Sequence, residues 1–198
     1  MLKSHYSCVL EAGTDEAGRG CLAGPVTAAA VLLPESFQHP LLDDSKKVSE
    51  PRRRELAVVI RKQALAYAIA HVDPETIDRV NILQASIMAM HQALDQLGQR
   101  PEAIAVDGNR FRPYRDIPHH CLVRGDGRFL HIAAASVLAK TARDALMQEL
   151  HLEYPQYGWD RNKGYPTLAH REALWEFGPS PHHRRSFRLW GEQLKISF

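Results

Sequence analysis

The sequence of 198 residues lacks the features that would place the protein in a membrane or outside the cell. It has no run of 18 uninterrupted apolar residues, which excludes a typical membrane-spanning helix, and its first residues lack the apolar centre of a signal peptide. The three cysteines, Cys8, Cys21 and Cys121, follow neither a disulfide nor a zinc-binding spacing. These absences predict a soluble protein of the reducing cytoplasm.

The sequence also has little net charge and no sign of several domains. The formal charge of +2 is too small to indicate a nucleic-acid-binding protein by itself. No repeat is present, and no linker is long enough to separate domains. A chain of this length can bury about 70% of its unfolded surface without disulfides or metals. We therefore expect one domain over residues 1–198, with nothing to indicate more than a monomer.

What the sequence does contain is a pair of adjacent acids followed by a glycine-rich turn, in the stretch TDEAGRGCLAGPV over residues 14–26. Apolar residues at 8–10 and 26–33 predict two strands, with Asp15 and Glu16 where the first strand ends and the glycines begin. Successive N–H groups in such a turn can bind an anion, and glycine lets another backbone approach closely. Taken alone, the stretch also fits an ordinary hairpin that carries charges.

Two further acids follow short β-branched or apolar runs. Residues 102–107 end in Asp107, which is followed by Gly108. Residues 121–123 lead to Asp126 just before a long helix. A single Asp-Gly pair is usually only a turn signal, and Asp126 is either the leading residue of that helix or a fourth acid of the site. Strand ends in an α/β sheet gather at one edge, where ligands usually bind. The pattern therefore predicts several carboxylates at one edge.

Four carboxylates at one edge would repel one another and tend to protonate unless cations were bound there. Ligation by oxygen alone favours Mg²⁺ or Mn²⁺ over zinc. Two such ions about 4 Å apart can activate a water and stabilise the leaving oxygen in phosphodiester hydrolysis. The acids therefore predict a metal-dependent phosphodiesterase.

At this point the motifs resemble the bacterial ribonuclease HII family, a type 2 ribonuclease H. The resemblance covers nearly the whole chain as seven motifs in the expected order: DEAGRG (15–20) with LAGPV (22–26), LDDSKK (42–47), NILQA (81–85), VDGN (106–109), IAAAS (132–136) with LAK (138–140), KGY (163–165) and HRRSF (183–187). It implies an α/β, ribonuclease H-like fold, in which helices flank a mixed sheet and the C-terminal part, about 150–198, is helical.

The resemblance also implies an activity. The family hydrolyses the RNA strand of RNA/DNA hybrids and nicks DNA 5′ to a single embedded ribonucleotide, which serves ribonucleotide and RNA primer removal. Two Mn²⁺ or Mg²⁺ ions are implied, with 5′-phosphate and 3′-hydroxyl products. Another ribonuclease H-like nuclease, such as a junction resolvase or a hybrid-only ribonuclease, is the competing enzyme. A catalytically silent nucleic-acid-binding module is the alternative outside catalysis, although such a module gains nothing from acids gathered near phosphate.

Site residues follow from the same resemblance. The four metal-binding acids fall on the residues that the strand-end pattern selects, Asp15, Glu16, Asp107 and Asp126. The turn Gly18, Arg19 and Gly20 is expected to read the 2′-hydroxyl, the group that separates RNA from DNA. Tyr165 is expected to pack on the sugar of the deoxynucleotide after the ribonucleotide, and Ser45 and Lys47 to contact phosphate. Cys21 departs from the family pattern, in which proline is common at this position.

Three other features carry expectations about binding. On the helix from His131, a stripe of Ser136, Lys140 and Arg143 is either a lining of the nucleic-acid groove or a solvated face. In the basic group 182–185, a phosphate contact or a structural arginine is favoured over a histidine metal site. Residues 119–120 are read as an ordinary strand or loop.

The last six residues, QLKISF over 193–198, form an amphipathic tail. The tail either packs against the protein or binds a sliding clamp, because it resembles the glutamine-leucine peptides by which bacterial repair proteins dock there. Ile196 and Phe198 would then be the anchors.

Overall fold

A mixed sheet of five strands forms the centre of the computed structural model, which describes residues 2–7, 10–42 and 49–190. The strands, in the order β3-β2-β1-β4-β5 across the sheet, are β1 (Glu11–Ala17), β2 (Val26–Leu32), β3 (Ala66–Val72), β4 (Ala103–Asp107) and β5 (His119–Leu122). The first three pair antiparallel, whereas β4 runs parallel to both β1 and β5. The predicted mixed α/β sheet is confirmed.

Helices cover both faces of this sheet. They are α1 (Glu50–Gln63), α2 (Pro74–Val80), α3 (Ile82–Asp95), α4 (Leu130–Glu153), α5 (Trp159–Asn162) and α6 (Leu168–Phe177). One apolar core lies between the sheet and α2 and α3, and a second lies between the opposite face and α1 and α4. Beyond residue 150 the described chain holds only helices and loops, so the helical C-terminal region is confirmed.

Local sequence signals account for the starts of α2 and α3. The Asp73 side chain accepts a hydrogen bond from the Thr76 N–H, and Pro74 occupies the first helical turn. Asn81 caps α3 in the same way, through the N–H groups of Leu83 and Gln84. Both helices therefore begin at residues whose side chains cap them locally.

The first strand differs from the sequence expectation. Asp15 and Glu16 lie inside β1 rather than after its end, because the antiparallel ladder with β2 continues as far as Ala17 paired with Thr27. Of the predicted strand residues 8–10, Cys8 and Val9 fall outside the described ranges. The acids are consequently held by ladder hydrogen bonds and not by a turn.

Gly13 lets α4 lie directly against β1. A Cβ atom at Gly13 would stand 2.3 Å from the carbonyl carbon of His131, at the start of α4. Only glycine permits so close an approach of helix to strand. The contact brings α4 beside the end of β1 that carries the acids. None of the helices in the described ranges is long and apolar enough to span a membrane.

Candidate active site

The parallel pairing of β1 and β4 brings two of the predicted acids to the same edge of the sheet. Thr14 is aligned with Val106, so the residues that follow them, Asp15 and Asp107, come next on neighbouring parallel strands. The Asp107 Oδ1 accepts a hydrogen bond of 2.7 Å from the Gly125 N–H. The Asp15 Oδ1 accepts one of the same length from the Glu16 N–H. Backbone groups therefore fix both carboxylates.

Burial and like charge make this edge electrostatically unfavourable. Asp15 is 6% exposed, and its pKa is raised well above the ordinary value by burial and then by the neighbouring charges of Glu16 and Asp107. A hydrogen bond with the Ser136 side chain opposes that shift. The pKa of Glu16 is also raised by burial, although Arg19 opposes the shift from 3.0 Å. A bound cation would remove this repulsion.

These acids open into a cleft of about 430 Å³ between the sheet, the glycine turn, α1 and α4. Acidic, basic, small and aromatic side chains share the lining: Asp15, Glu16, Ala17, Gly18, Arg19, Gly20, Arg53, Asp107, Ser136, Lys140 and Tyr165. The cleft thus contains nine of the predicted site residues. A concave site with convergent charged groups and raised carboxyl pKa values is typical of an active site.

Among the described residues, Asp126 is the predicted site residue that does not line the cleft. Asp126 is buried in a short 3₁₀ turn, where its Oδ1 accepts a hydrogen bond of 3.0 Å from the Gly127 N–H. It is adjacent in sequence to Gly125, which contacts Asp107. Ser45 and Lys47 lie outside the described residues. Asp126 therefore borders the acid edge without opening into the cleft.

The donor set at the acid edge suits a hard divalent cation. Asp15, Glu16 and Asp107 offer carboxylate oxygens and no sulfur or imidazole, which favours Mg²⁺ or Mn²⁺. Within residues 2–7, 10–42 and 49–190, no three or more His, Cys, Asp or Glu side chains stand together as a group that could hold a metal ion. The fit consequently rests on the ligand chemistry and on the repulsion that a cation would relieve.

Tyr165 presents its ring to the cleft, while its hydroxyl and its backbone carbonyl both form hydrogen bonds. The side chain is 40% exposed, and its hydroxyl hydrogen-bonds the sulfur of Cys21. His170 Nδ1 lies 2.9 Å from the Tyr165 carbonyl oxygen, and the Lys140 Nζ lies 5.9 Å from the ring centroid. The aromatic face is therefore available to a ligand.

Two cations beside the cleft share one carboxylate. The Lys140 Nζ lies 2.5 Å from the Asp144 Oδ1, and the Arg53 Nη2 lies 3.6 Å from the Asp144 Oδ2. Sequence reasoning missed Arg53, although it belongs to three consecutive arginines at 52–54. That run could not indicate which arginine faces the cleft, since only the packing of α1 against α4 decides it.

The stripe predicted on α4 is only partly correct. Ser136 and Lys140 do line the cleft, but Arg143 is fully buried and donates all its hydrogen bonds to backbone carbonyls. Arg184 is the structural arginine that was one of two expectations for residues 182–185, with 0% exposure and three carbonyl acceptors. Burial lowers the pKa of Arg184 to about 10, so it stays charged at neutral pH.

Comparison with known proteins identifies the family. The sequence model described as Ribonuclease HII matches residues 12–190. A Ribonuclease HII of Parabacteroides distasonis is 58% identical over 189 residues, which are 96% of this chain and 95% of that one. The chain belongs to the ribonuclease HII family. It is therefore a ribonuclease H, an endonuclease that hydrolyses RNA in RNA/DNA hybrids.

Solved structures agree with this assignment. A ribonuclease HII from Archaeoglobus fulgidus, solved as a PCNA:RNase HII complex, is 28% identical with a TM-score of 0.76, covering 93% of this chain and 98% of that one. The more distant Bst-RNase HIII in complex with Mn²⁺ is 18% identical with a TM-score of 0.70, covering 90% of this chain and 67% of that one. The second likeness shows the shared fold.

Proposed function

We propose that this ribonuclease H cleaves RNA/DNA hybrids and also nicks DNA 5′ to a single embedded ribonucleotide, leaving 5′-phosphate and 3′-hydroxyl ends. Its roles are ribonucleotide removal and RNA primer removal. One observation carries the proposal: three carboxylates, the glycine turn and an exposed tyrosine ring share one cleft. The carboxylates suit phosphodiester hydrolysis, and the turn and ring suit the reading of a single 2′-hydroxyl.

Asp15, Glu16, Asp107 and Asp126 are the proposed metal ligands and catalytic acids. When two Mg²⁺ or Mn²⁺ ions are bound, they lower the pKa of an attacking water and neutralise charge on the departing oxygen. Asp15 and Asp107 are oriented by the hydrogen bonds from Glu16 and Gly125. The Mn²⁺ complex of Bst-RNase HIII supports the choice of ion.

Gly20 supports the proposal that the turn contacts the substrate. A Cβ at Gly18 would stand 2.0 Å from the Arg143 Nε, so the fold itself requires glycine there. A Cβ at Gly20 would meet nothing within 4 Å, and Gly20 lines the cleft. The protein interior therefore gives no reason for glycine at 20, whereas close approach of a ribose 2′-hydroxyl to the backbone does.

Other proposed substrate contacts surround the turn. Tyr165 offers its ring to the sugar that follows the ribonucleotide. Lys140 and Arg19 would attract the phosphate backbone, and Arg53 joins them as a residue that only the fold brings to the cleft. Ser136 lines the cleft and hydrogen-bonds Asp15, while Ser45 and Lys47 keep the phosphate role that the resemblance implies.

A sliding clamp is a further proposed partner, reached through residues 193–198. Its support is the tail sequence together with the archaeal relative solved with PCNA. Clamp pull-down with the full chain and with a chain ending at residue 192 tests it, and equal capture would end the proposal. We further propose that the enzyme acts as a monomer in the cytoplasm, where its nucleic-acid substrates lie.

The proposed activity can be tested with a labelled DNA duplex that contains one ribonucleotide, incubated with Mg²⁺ or Mn²⁺ beside all-DNA and RNA/DNA duplexes. We expect one nick 5′ to the ribonucleotide, none in all-DNA and none with chelator. Cleavage of the long hybrid alone would discard the junction role of the turn and Tyr165. Cleavage of all-DNA would favour a resolvase, and no cleavage would favour a silent binding module.

Variants at Tyr165 sharpen that test. Tyr165→Ala removes the ring and should lower cleavage at a lone ribonucleotide more than cleavage of a hybrid. Tyr165→Phe keeps the ring and loses only the hydrogen bond to Cys21, so its cleavage at a lone ribonucleotide should fall by only about threefold. Equal activity of the two variants at a lone ribonucleotide would count against the proposed stacking on the sugar.

A further inference from the structure

Arg143 lies beneath the cleft and joins the two segments proposed to read the ribonucleotide. Its Nε and Nη2 donate hydrogen bonds of 2.9 Å to the carbonyls of Pro25 and Ala23, which close the glycine turn. Its Nη1 donates one of 2.8 Å to the carbonyl of Lys163, two residues before Tyr165. A single guanidinium therefore joins the turn to the tyrosine segment, beside the direct hydrogen bond of 2.8 Å from the Leu22 N–H to the Gly164 carbonyl.

The turn rests directly on this side chain. Gly18 has a φ of +94°, and a Cβ there would stand 2.0 Å from the Arg143 Nε and 2.5 Å from its Cδ. The backbone of Gly18 therefore lies so close to Arg143 that no side chain fits between them. A shift of the guanidinium would move the turn on one side and the Lys163 carbonyl on the other.

Arg143 also links the positions of both segments to the position of the acids. It lies on α4, the helix that carries Ser136, and Ser136 hydrogen-bonds Asp15. An α-helix is stiff, with a rise of 1.5 Å per residue, so about two turns separate the contact to Asp15 from the contact to the recognition segments. The acids, the turn and the tyrosine segment are positioned from one helix.

Stability alone does not account for an arginine here. Arg143 is 0% exposed, and among the residues described it forms no salt bridge with a carboxylate. A buried charge without an ionic partner is expensive, and apolar side chains of similar volume are often more stabilising. What a guanidinium alone supplies is three diverging N–H groups in a rigid plane, which match three carbonyls from two segments.

We propose that Arg143 is a positioning residue for junction recognition: it fixes the spacing between the Gly18–Gly20 turn and Tyr165, and thereby sets the preference for a single ribonucleotide over a long hybrid. This inference rests on the proposed function, since it assumes that both segments contact the substrate. In the RNA strand of a hybrid every nucleotide carries a 2′-hydroxyl, so the spacing between the turn and the tyrosine matters less there.

The test compares Arg143→Lys with Arg184→Lys. Arg184 is the matched control, because it is equally buried but donates only to the turn, at Arg19, Gly24 and Pro25. The measured quantity is kcat/KM at a single ribonucleotide divided by kcat/KM on the hybrid, on one protein sample. The folded fraction cancels from that ratio.

We expect Arg143→Lys to lower the ratio about 10-fold or more, mainly through kcat, since small misplacement of a contact can lower rates by about 100-fold. Arg184→Lys should lower both activities together and leave the ratio unchanged. An unchanged ratio in Arg143→Lys, or equal falls of the ratio in both variants, would overturn the inference and leave a structural role only.

A double-mutant cycle with Tyr165→Ala separates this inference from the proposed function. If Arg143 acts by placing Tyr165, Arg143→Lys should not lower the ratio further once Tyr165 is alanine. A full additional fall would contradict the inference. If Tyr165→Ala itself leaves the ratio unchanged, the proposed function fails instead.

Asn162→Ala tests the same effect of spacing if Arg143→Lys does not fold. Asn162 holds the same segment from its other side, through the Gly164 N–H and the Tyr157 carbonyl, and within the described residues it makes no hydrogen bond to the turn. Its loss should also lower the ratio, and an unchanged ratio would overturn the claim that the spacing matters.

Discussion

The acid edge and the recognition turn lie side by side in one cleft but are held by different bonds. Asp15 and Glu16 are held mainly by the backbone ladder between β1 and β2, and the Glu16 N–H also donates to the Asp15 carboxylate. The carbonyls of Arg19, Ala23, Gly24 and Pro25 instead find their partners on two buried arginines. Substitutions at the acid edge should therefore change the chemistry of cleavage. Substitutions of the arginines beneath the turn should instead change the shape of the cleft.

The two regions also differ in electrostatic sign. The edge gathers carboxylates whose burial raises the pKa of Asp15 and Glu16, whereas the turn lies over two buried guanidiniums that form no salt bridge within the described residues. A phosphodiester approaching the cleft would meet positive charge beneath the turn and would need cations at the edge.

The largest effect is expected for Asp15→Asn. Activity should fall by several orders of magnitude, because a proposed metal ligand is lost, while substrate binding persists through the phosphate contacts. The metal-free variant should be more stable by about 1 kcal/mol. The raised pKa of Asp15 means that its ionisation destabilises the fold as pH rises through that pKa, so neutralising it removes the penalty at neutral pH.

Chelator-treated protein in a denaturant titration checks the stability, and nuclease assays check the activity. The thermal shift on adding Mn²⁺ should also shrink in the variant, since the cation binds only the folded state. Activity close to that of the unmodified enzyme would refute the assignment of Asp15. A loss of stability in the metal-free variant would refute the claim of repulsion.

Gly13→Ala should disturb the acid edge by forcing the backbone of α4 away from β1. The new Cβ would meet backbone atoms of His131 and Ile132 at 2.3–2.5 Å, and only a shift of α4 can relieve that clash. We expect a loss of about 3 kcal/mol in the free energy of unfolding, at the upper end for overpacking. Gly20→Ala is the control, because its Cβ meets nothing within 4 Å and should leave stability unchanged. Equal stabilities of the two variants would contradict the packing argument.

Acid should weaken the C-terminal region through two buried histidines. The His183 Nδ1 accepts from the Ser180 N–H, so its Nε2 carries the proton and faces the His170 Nε2 at 3.1 Å. Burial and the neighbouring His170 lower the pKa of His183 to about 3. The unfolded chain therefore binds more protons below the ordinary value of 6.5, and stability contributed by the neutral form is lost as pH falls from about 6.5 towards 3.

Unfolding in denaturant at a series of pH values between 7.5 and 4 checks this prediction. His183→Gln should show a shallower loss of stability over that range, because the titrating group is gone. The partly exposed neighbour His182, changed to Gln, provides the comparison. Identical slopes in His183→Gln and the unmodified protein would show that His183 does not carry the acid sensitivity.

The smallest effect is expected at Cys21. Cys21→Ala removes the hydrogen bond with the Tyr165 hydroxyl, but the Leu22 N–H still binds the Gly164 carbonyl and Arg143 still binds the Lys163 carbonyl. Cleavage at a single ribonucleotide should fall by about threefold, which corresponds to one neutral hydrogen bond. Tyr165→Phe removes the same bond from the other side and should match it. A fall as large as that of Arg143→Lys would show that the turn is held from Cys21 instead.

Much of the fold was accessible from local pattern. The β-branched run ending in Asp107 forms β4, the cap at Asp73 begins α2, and the apolar stretch after the glycine turn forms β2. The fifth strand was predicted at 121–123 but begins at His119, since two histidines carry no hydrophobic signal. The extent of β1 was also wrong, because an acidic pair in a strand cannot be distinguished locally from one in a turn.

The site residues also divide into those that the sequence identified and those whose surroundings only the fold revealed. Asp15, Glu16 and Asp107 could be named in advance from the strand-end pattern and Tyr165 from the family resemblance, and the structure brings these four to one cleft. Arg143 was expected on an open stripe of its helix and is instead fully buried. Helical spacing reveals which residues share a face, but not whether another part of the chain covers that face.

By itself, the sequence determined the residue types of the site, the family and the order of the elements, because these depend on local spacing and composition. Only the tertiary structure decided which cations enter the cleft and which are buried beneath it. Parallel pairing of β1 with β4, and the approach of α4 that Gly13 permits, place groups more than 100 residues apart in contact. Such contacts depend on how three segments pack together, and no local pattern encodes that packing.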